Sequence, residues 1–215
     1  MGKEALVIKR ETLFKEKFFQ GFLPLDAYDY FLIIKTNFFY HERGDALEND
    51  FSLQQVIPYV WIFNPEKKEV FLYKRTLNGK KQSDEYKEIR YLNKFSGGVG
   101  GHIDRDTEEN VENPIRAAML RELKEEVLMT DYPIPEIIGY INDDSDSIGK
   151  VHFGIVAVAK TLESVVSNDA EGLSSGRFYT LEEIEQLFAD PENEIENWTR
   201  ISWPFVKDYL LTQKS

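Results

Sequence analysis

The chain has 215 residues, 42% hydrophobic and 30% charged, a composition typical of a globular protein with room for one domain and an extension. Its net charge of −12 argues against nucleic-acid binding, which depends on lysine and arginine neutralising phosphates. The absence of cysteine excludes disulfides, thiolate metal sites and a catalytic thiol, and is compatible with a cytoplasmic protein.

The leading segment, residues 1–54, lacks a signal-peptide pattern and is rich in aromatic residues, which argues against disorder. We expect it to pack on a main domain formed by residues 55–215, with a substrate-facing wall or a dimer surface as alternatives. Apolar runs such as residues 56–63 are too short to cross a bilayer, so no membrane partner is expected. The sequence leaves a homodimer open.

Hairpins dominate the strand pattern. Residues 54–63 and 69–75 are rich in β-formers and flank a turn with Asn64 and Pro65, and residues 136–142 and 151–159 repeat this arrangement. Shorter strands are predicted at residues 91–95 and 177–179. These strands predict an α/β (α+β) fold with a mixed central sheet flanked by helices.

Helix signals lie between and after the hairpins. Asn113 and Pro114 are suited to begin a helix that runs to about Met129. Thr180 and Glu183 have the spacing of a capping box for a helix over residues 181–188. Residues 198–211 predict a last helix in which Pro204 introduces a kink or occupies the first turn.

The helix after Asn113 places carboxylates beside its apolar stripe. At about 100° per residue, Glu122 and Glu126 fall within about 20° of Ile115, and Glu125 lies farther round. Burying such charges is costly unless a positive group offsets them. Arg121 can pair with Glu125 at the i,i+4 spacing, and the other carboxylates are spaced to converge on a hard cation such as Mg²⁺. A solvated acidic edge on an ordinary amphipathic helix is the alternative.

Four glycines precede this helix, at positions 97, 98, 100 and 101. Glycine permits positive φ and a close approach of backbone to a ligand, so this turn could offer a carbonyl to a metal and N–H groups to phosphate. A tight turn with no ligand is the alternative.

Together these residues resemble the Nudix box, G-x5-E-x7-R-E-U-x-E-E-x-G-U, in which U is apolar. Gly101 matches the first glycine, the run Arg121-Glu122-Leu123 and the pair Glu125-Glu126 match R-E-U-x-E-E, and Met129 matches the last apolar position. The flanking strand pair and the later segment FYTLEEIEQ extend the resemblance over roughly residues 55–190.

The sequence departs from the pattern at three places. Twenty positions separate Gly101 from Arg121 where the pattern has fourteen, so the intervening loop is about six residues longer. Asn113 stands at the upstream glutamate position, where it can cap the helix instead, and Leu128 replaces the second glycine. We interpret these changes as a loop variant that retains the site.

The resemblance implies a Nudix-type α/β/α sandwich and a hydrolase that uses Mg²⁺ or Mn²⁺ to cleave a diphosphate linked to another group. It implies a small phosphorylated substrate. By position, Glu122 and Glu126 are metal ligands, Glu125 is a metal ligand or orients one, and the Gly101 carbonyl is a further ligand. Arg121 is the structural partner of a glutamate and is counted with the three glutamates as catalytic. Two further roles are assigned to other positions: Glu171 is the general base, and Arg75, His102 and Gly100 take part in substrate binding.

Two alternatives remain open at this stage. A Nudix-fold module that binds a nucleotide and regulates another process without catalysis would also explain the altered upstream half of the box. His152 stands in a predicted strand, where a hydrogen-bonded structural histidine is favoured over a ligand.

Overall fold

The computed structural model describes residues 3–75, 93–168 and 173–212. Strands and helices are intermixed along these residues, as the sequence predicts. In chain order the strands are β1 (Glu4–Lys9), β2 (Gly21–Pro24), β3 (Phe39–Glu42), β4 (Leu53–Asn64), β5 (Glu69–Arg75), β6 (Phe95–Ser96), β7 (Gly98–Val99), β8 (Val127–Leu128), β9 (Glu136–Asn142), β10 (His152–Lys160), β11 (Val166–Ser167) and β12 (Leu173–Thr180).

The same residues form seven α-helices and two short 3-10 turns, Leu25–Ala27 and Gly149–Val151. In chain order the helices are α1 (Arg10–Leu13), α2 (Tyr30–Asn37), α3 (Asp45–Glu48), α4 (Arg105–Glu108), α5 (Pro114–Glu126), α6 (Leu181–Ala189) and α7 (Asn197–Thr212). The predicted α/β fold with a mixed sheet flanked by helices is confirmed. Among these helices, none has the length and apolar character needed to span a membrane.

The chain divides into two compact units. Unit 1 comprises Met1–Tyr59, Gly100–Met119 and Ile137–Ala157, and unit 2 comprises Val60–Val99, Leu120–Glu136 and Val158–Ser215. The predicted boundary between residues 54 and 55 stays a prediction.

In unit 1 the strand order is β4, β10, β9, β2, and β1 pairs antiparallel with both β3 and β4. The aromatic residues of the leading segment are packed rather than disordered. The ring of Tyr30 lies 5.3 Å from that of Phe153 and 5.4 Å from that of Tyr140. Phe14 and Phe19 each lie 6.0 Å from Phe153. These rings bury apolar area that residues 1–54 could not bury alone.

The loop that is longer than the Nudix pattern is ordered within unit 1. Ala5 and Asp104 form an isolated antiparallel β-bridge, and the Leu6 N–H donates to the Ile103 carbonyl at 2.9 Å. Helix α4 follows at once, and the buried carboxylate of Glu108 accepts from the Asp104 N–H at 2.7 Å. The additional residues therefore attach to strand β1.

In unit 2, β5 pairs antiparallel with β12, with β6 and with the end of β4, which also pairs with β7. Helix α7 lies against this region, because the Trp61 indole N–H donates to the Ser202 hydroxyl at 3.2 Å and the Trp61 ring lies 5.7 Å from that of Trp203. Pro204 is the eighth residue of α7, so the alternative that it occupies the first turn is wrong.

Helix α5 begins as predicted but ends earlier. The Asn113 side chain accepts from the Arg116 N–H at 3.1 Å, which caps the first turn before Pro114. The helix ends at Glu126 rather than near Met129, because Val127 and Leu128 pair with Ser167 and Val166 as strands β8 and β11. Strand pairing with a distant segment replaces the last helical turn that local sequence predicts.

The capping box of helix α6 provides a stability test. The Thr180 hydroxyl accepts from the Glu183 N–H at 3.2 Å, and the Glu183 carboxylate accepts from the Thr180 N–H at 2.7 Å. We expect Thr180→Ala to lower the free energy of unfolding by about 1 kcal/mol in urea denaturation, because a helix N–H loses its partner. Thr212→Ala, at the exposed end of α7, is the control. Equal losses in the two variants would contradict the capping role.

Candidate active site on helix α5

The three glutamates at the end of α5 occupy different environments. The side chains of Glu122 and Glu126 are buried, each residue being 7% exposed, although both carry carboxyl groups. Glu125 is exposed, with 51% of its side chain accessible. The helical wheel predicts this division, because Glu122 and Glu126 lie beside the apolar stripe that contains Met119 and Leu123.

Arg121 holds two of these carboxylates. Its Nη1 lies 2.8 Å from Oε1 of Glu122 and donates to Oε2 of Glu125 at 2.9 Å. Because only 18% of the Arg121 side chain and 9% of the Glu122 side chain are exposed, water screens this ion pair little. The predicted i,i+4 contact with Glu125 is present, and a second contact to Glu122 accompanies it.

Asn168 fixes the carboxyl end of the helix. Its side-chain amide donates to the Glu125 carbonyl at 2.8 Å, and its backbone N–H donates to the Glu126 carbonyl at 2.9 Å. The last carbonyls of a helix have no partner within the helix. These two bonds therefore satisfy the carbonyls of Glu125 and Glu126. The last turn, which carries Glu125 and Glu126, is thereby held in place.

Tyr73 is a buried neighbour of this group that the sequence did not single out. Its hydroxyl donates to the Gly98 carbonyl at 2.7 Å. Burial raises the pKa of this hydroxyl, the nearby charge of Arg75 opposes the shift, and the charge of Glu126 adds to it. Tyr73 is therefore a neutral donor that fixes the backbone at Gly98 and interacts electrostatically with Glu126.

Two glycines of the predicted loop, Gly97 and Gly100, are required by packing, each within its own unit. A Cβ at Gly97 would lie 2.2 Å from the Trp61 ring, and in unit 1 a Cβ at Gly100 would lie 1.8 Å from the Pro58 carbonyl oxygen. Both distances are shorter than any real contact, so neither position accepts a side chain. None of the four loop glycines has positive φ. Close packing against other residues of the same chain therefore explains why positions 97 and 100 are glycine.

The other predicted site residues stand as follows. Nε of Arg75 lies 3.9 Å from the Glu196 carboxylate in unit 2. Gly101 and His102 belong to unit 1, where Nε2 of His102 lies 2.9 Å from Oε1 of Gln55. Glu171, the predicted general base, lies outside the described residues. The functional roles of Arg75, Gly100, Gly101, His102 and Glu171 stay predictions.

The donors on α5 fit a hard divalent cation. Glu122 and Glu126 offer carboxylate oxygens one helical turn apart, the ligand type that Mg²⁺ and Mn²⁺ prefer. Across the described parts of the chain, Glu122, Glu125 and Glu126 do not form a group of three donors within 4.8 Å of one another. Glu122 and Glu126 are buried whereas Glu125 is exposed, so Glu122 and Glu126 are the pair that could hold the ion, with Glu125 in an orienting role.

A different set of donors meets that distance criterion. Glu48, His102 and His152, all in unit 1, bring one potential ligand atom each within 4.8 Å of one another. The sequence singled out His102 as a substrate contact and His152 as structural, and it gave no reason to join them to Glu48. No local spacing connects these three positions.

Comparison with known proteins gives relatives over nearly the whole chain. Protein YmaB of Bacillus subtilis (strain 168) is 33% identical over 219 aligned residues, which cover 98% of each chain. The crystal structure of Tm1382, a candidate Nudix hydrolase, superposes with a TM-score of 0.75 at 25% identity and covers 96% of this chain and 99% of that one. DR0079 of Deinococcus radiodurans shares the fold, with a TM-score of 0.51 at 15% identity over 77% of this chain and 90% of that one. No family model matches the chain.

The contribution of the buried ion pair between Arg121 and Glu122 to stability can be compared with that of an exposed ion pair. We expect Arg121→Gln to lower the free energy of unfolding by about 3 kcal/mol, because Glu122 stays buried after losing the guanidinium. The matched control is Arg177→Gln, whose pair with Glu183 is exposed on both sides and is expected to contribute less than about 1 kcal/mol. Urea denaturation with chelator present measures both, and similar losses would contradict the burial argument.

Proposed function

The chain belongs to the Nudix hydrolase family, and on this basis we propose that it is a metal-dependent pyrophosphohydrolase. Its substrate would be a small molecule in which a nucleoside diphosphate is linked to another group, or a related organic pyrophosphate. The cation would be Mg²⁺ or Mn²⁺, and the expected location is the cytoplasm.

The observation that carries this proposal is the burial of Glu122 and Glu126 on one helix turn. Withdrawing an ionised carboxylate from water costs several kcal/mol unless opposite charge compensates it. Arg121 supplies a positive charge to Glu122, and the same guanidinium also contacts Glu125. A divalent cation beside Glu122 and Glu126 would stabilise both buried carboxylates and explain why the fold keeps both residues there.

The side chains around this pair have separable roles. A bound cation would polarise a phosphoryl oxygen and lower the pKa of a coordinated water. Arg121 orients Glu122 through its 2.8 Å contact and keeps Glu125 at the edge of the site. Asn168 holds the backbone of Glu125 and Glu126, so the carboxylates are carried on a fixed helix end.

Roles at the substrate follow from the family resemblance. Arg75 would contact phosphate, with His102 and the backbone of Gly100 as further contacts, and Gly101 would add a carbonyl ligand. Glu171 is the candidate for the general base that removes a proton from the attacking water.

Glutamine substitutions test the proposal. We expect the double variant Glu122→Gln with Glu126→Gln to lose about a thousandfold in kcat against a panel of nucleoside diphosphate derivatives with Mg²⁺ or Mn²⁺, because about 4 kcal/mol of transition-state stabilisation would be lost. Glu182→Gln, an exposed glutamate on α6, is the matched control and should retain activity. Circular dichroism verifies that the double variant is folded, and undiminished turnover in it would refute the assignment.

Calorimetry separates this enzyme from a regulatory Nudix module. A hydrolase of this kind should bind its diphosphate ligand more weakly once chelator removes the cation, and should release product when metal is restored. Ligand binding that chelator leaves unchanged, with no product from any member of the panel, would favour the non-catalytic module.

A further inference from the structure

Unit 1 contains a set of three side chains of which the proposed hydrolase uses only His102, as a substrate contact. Glu48 ends helix α3, His102 follows strand β7, and His152 begins strand β10. One potential ligand atom from each lies within 4.8 Å of the other two. Among the described residues this is the group of three that meets this distance, and its chemistry is a carboxylate with two imidazoles.

The hydrogen bond of His152 fixes which ring nitrogen carries the proton. Nδ1 of His152 lies 2.8 Å from the Ile148 carbonyl oxygen. A backbone carbonyl only accepts, so Nδ1–H is the donor and the neutral ring carries its lone pair on Nε2. The contact that marks His152 as structural is thus also one that prepares Nε2 to bind a cation.

His102 has the corresponding arrangement through a side chain. Its Nε2 lies 2.9 Å from Oε1 of Gln55, a fully buried residue of β4. The amide oxygen accepts from Nε2–H, and the neutral ring then carries its lone pair on Nδ1. Metal-binding histidines usually donate their second ring N–H to a carbonyl or carboxylate in this way, which fixes both tautomer and ring orientation.

The group is buried at His152 and partly buried at Glu48 and His102, which favours a bound ion over solvated charges. His152 is only 8% exposed, and the two imidazole rings lie 5.7 Å apart between centroids at an angle of 68°. Glu48 is half-buried, so an ion from solvent can reach its carboxylate. The carboxylate also lies close enough to both imidazoles for all three to bind the same ion.

The donor types indicate the class of ion. Two imidazole nitrogens and one carboxylate oxygen suit Zn²⁺, Co²⁺ and related transition-metal ions, whereas Mg²⁺ prefers oxygen donors and retains waters. Three protein donors also leave a coordination position for water or another ligand. The two carboxylates on α5, by contrast, have only oxygen donors and suit Mg²⁺ or Mn²⁺ better.

We propose that Glu48, His102 and His152 form a binding site for one divalent transition-metal ion of the Zn²⁺ class. Glu48 supplies a carboxylate oxygen, His102 supplies Nδ1 and His152 supplies Nε2. Gln55 is a positioning residue that acts through His102 and does not touch the ion.

Titration of the chelator-stripped full chain with Co²⁺ tests this site, because Co²⁺ replaces Zn²⁺ and its visible absorption reports imidazole coordination. We expect bands that saturate at one equivalent and disappear when one equivalent of Zn²⁺ is added. Glu48→Gln, His102→Gln and His152→Gln should each abolish them. We expect Gln55→Leu to retain the bands with affinity lowered about 10- to 100-fold.

The chain offers matched controls. His41→Gln removes the third histidine, which contacts the Glu42 carbonyl and is not in the group, and should leave the titration unchanged. The variant Glu122→Gln with Glu126→Gln should also retain the bands, which separates this site from the proposed hydrolase.

Three results would overturn the proposal: no Co²⁺ bands in the unsubstituted chain, bands that survive all three ligand substitutions, or bands that depend on His41. If a histidine variant fails to fold by circular dichroism, Glu48→Gln decides the outcome, because its half-exposed carboxyl is replaced by a group of the same shape.

Discussion

Two carboxylates that are almost withdrawn from water constrain the end of helix α5. Glu122 and Glu126 are each 7% exposed, and such burial is unfavourable by several kcal/mol per ion unless charge and hydrogen bonds compensate it. The surrounding contacts follow from that constraint. Arg121 lies against Glu122 rather than in solvent, and Asn168 secures the backbone from which the carboxylates project. A helix selected for stability alone would have placed apolar residues at these two positions.

Local sequence was sufficient to predict the elements that depend on residues close together in the chain. The β-rich runs on either side of Asn64 and Pro65 became β4 and β5, and Thr180 with Glu183 formed the expected capping box. The end of α5 could not be predicted in this way. Val127 and Leu128 leave the helix because they pair with residues about forty positions later, and no helical propensity encodes that partner.

The features of the candidate site also fall into two groups, those that local sequence predicts and those that depend on distant residues. Angular position on the helical wheel places Glu122 and Glu126 beside the buried stripe, and i,i+4 spacing gives the contact between Arg121 and Glu125. Tyr73 carries no sequence signal, since its relation to Gly98 arises only when β5 and the glycine segment meet. The position of the longer loop could not be predicted either, because its bridge to Ala5 depends on a strand about a hundred residues earlier. The grouping of Glu48 with His102 and His152 was missed for the same reason.

The Trp61 ring fills the space that a side chain at Gly97 would need, and this contact restricts how the sequence can diverge. The indole is also bonded to Ser202, and the Gly97 N–H is bonded to the Thr199 hydroxyl, so neither partner can move without disturbing α7. A side chain at position 97 therefore requires a smaller residue at position 61. Across homologues, residues other than glycine at position 97 should occur only together with a residue smaller than tryptophan at position 61.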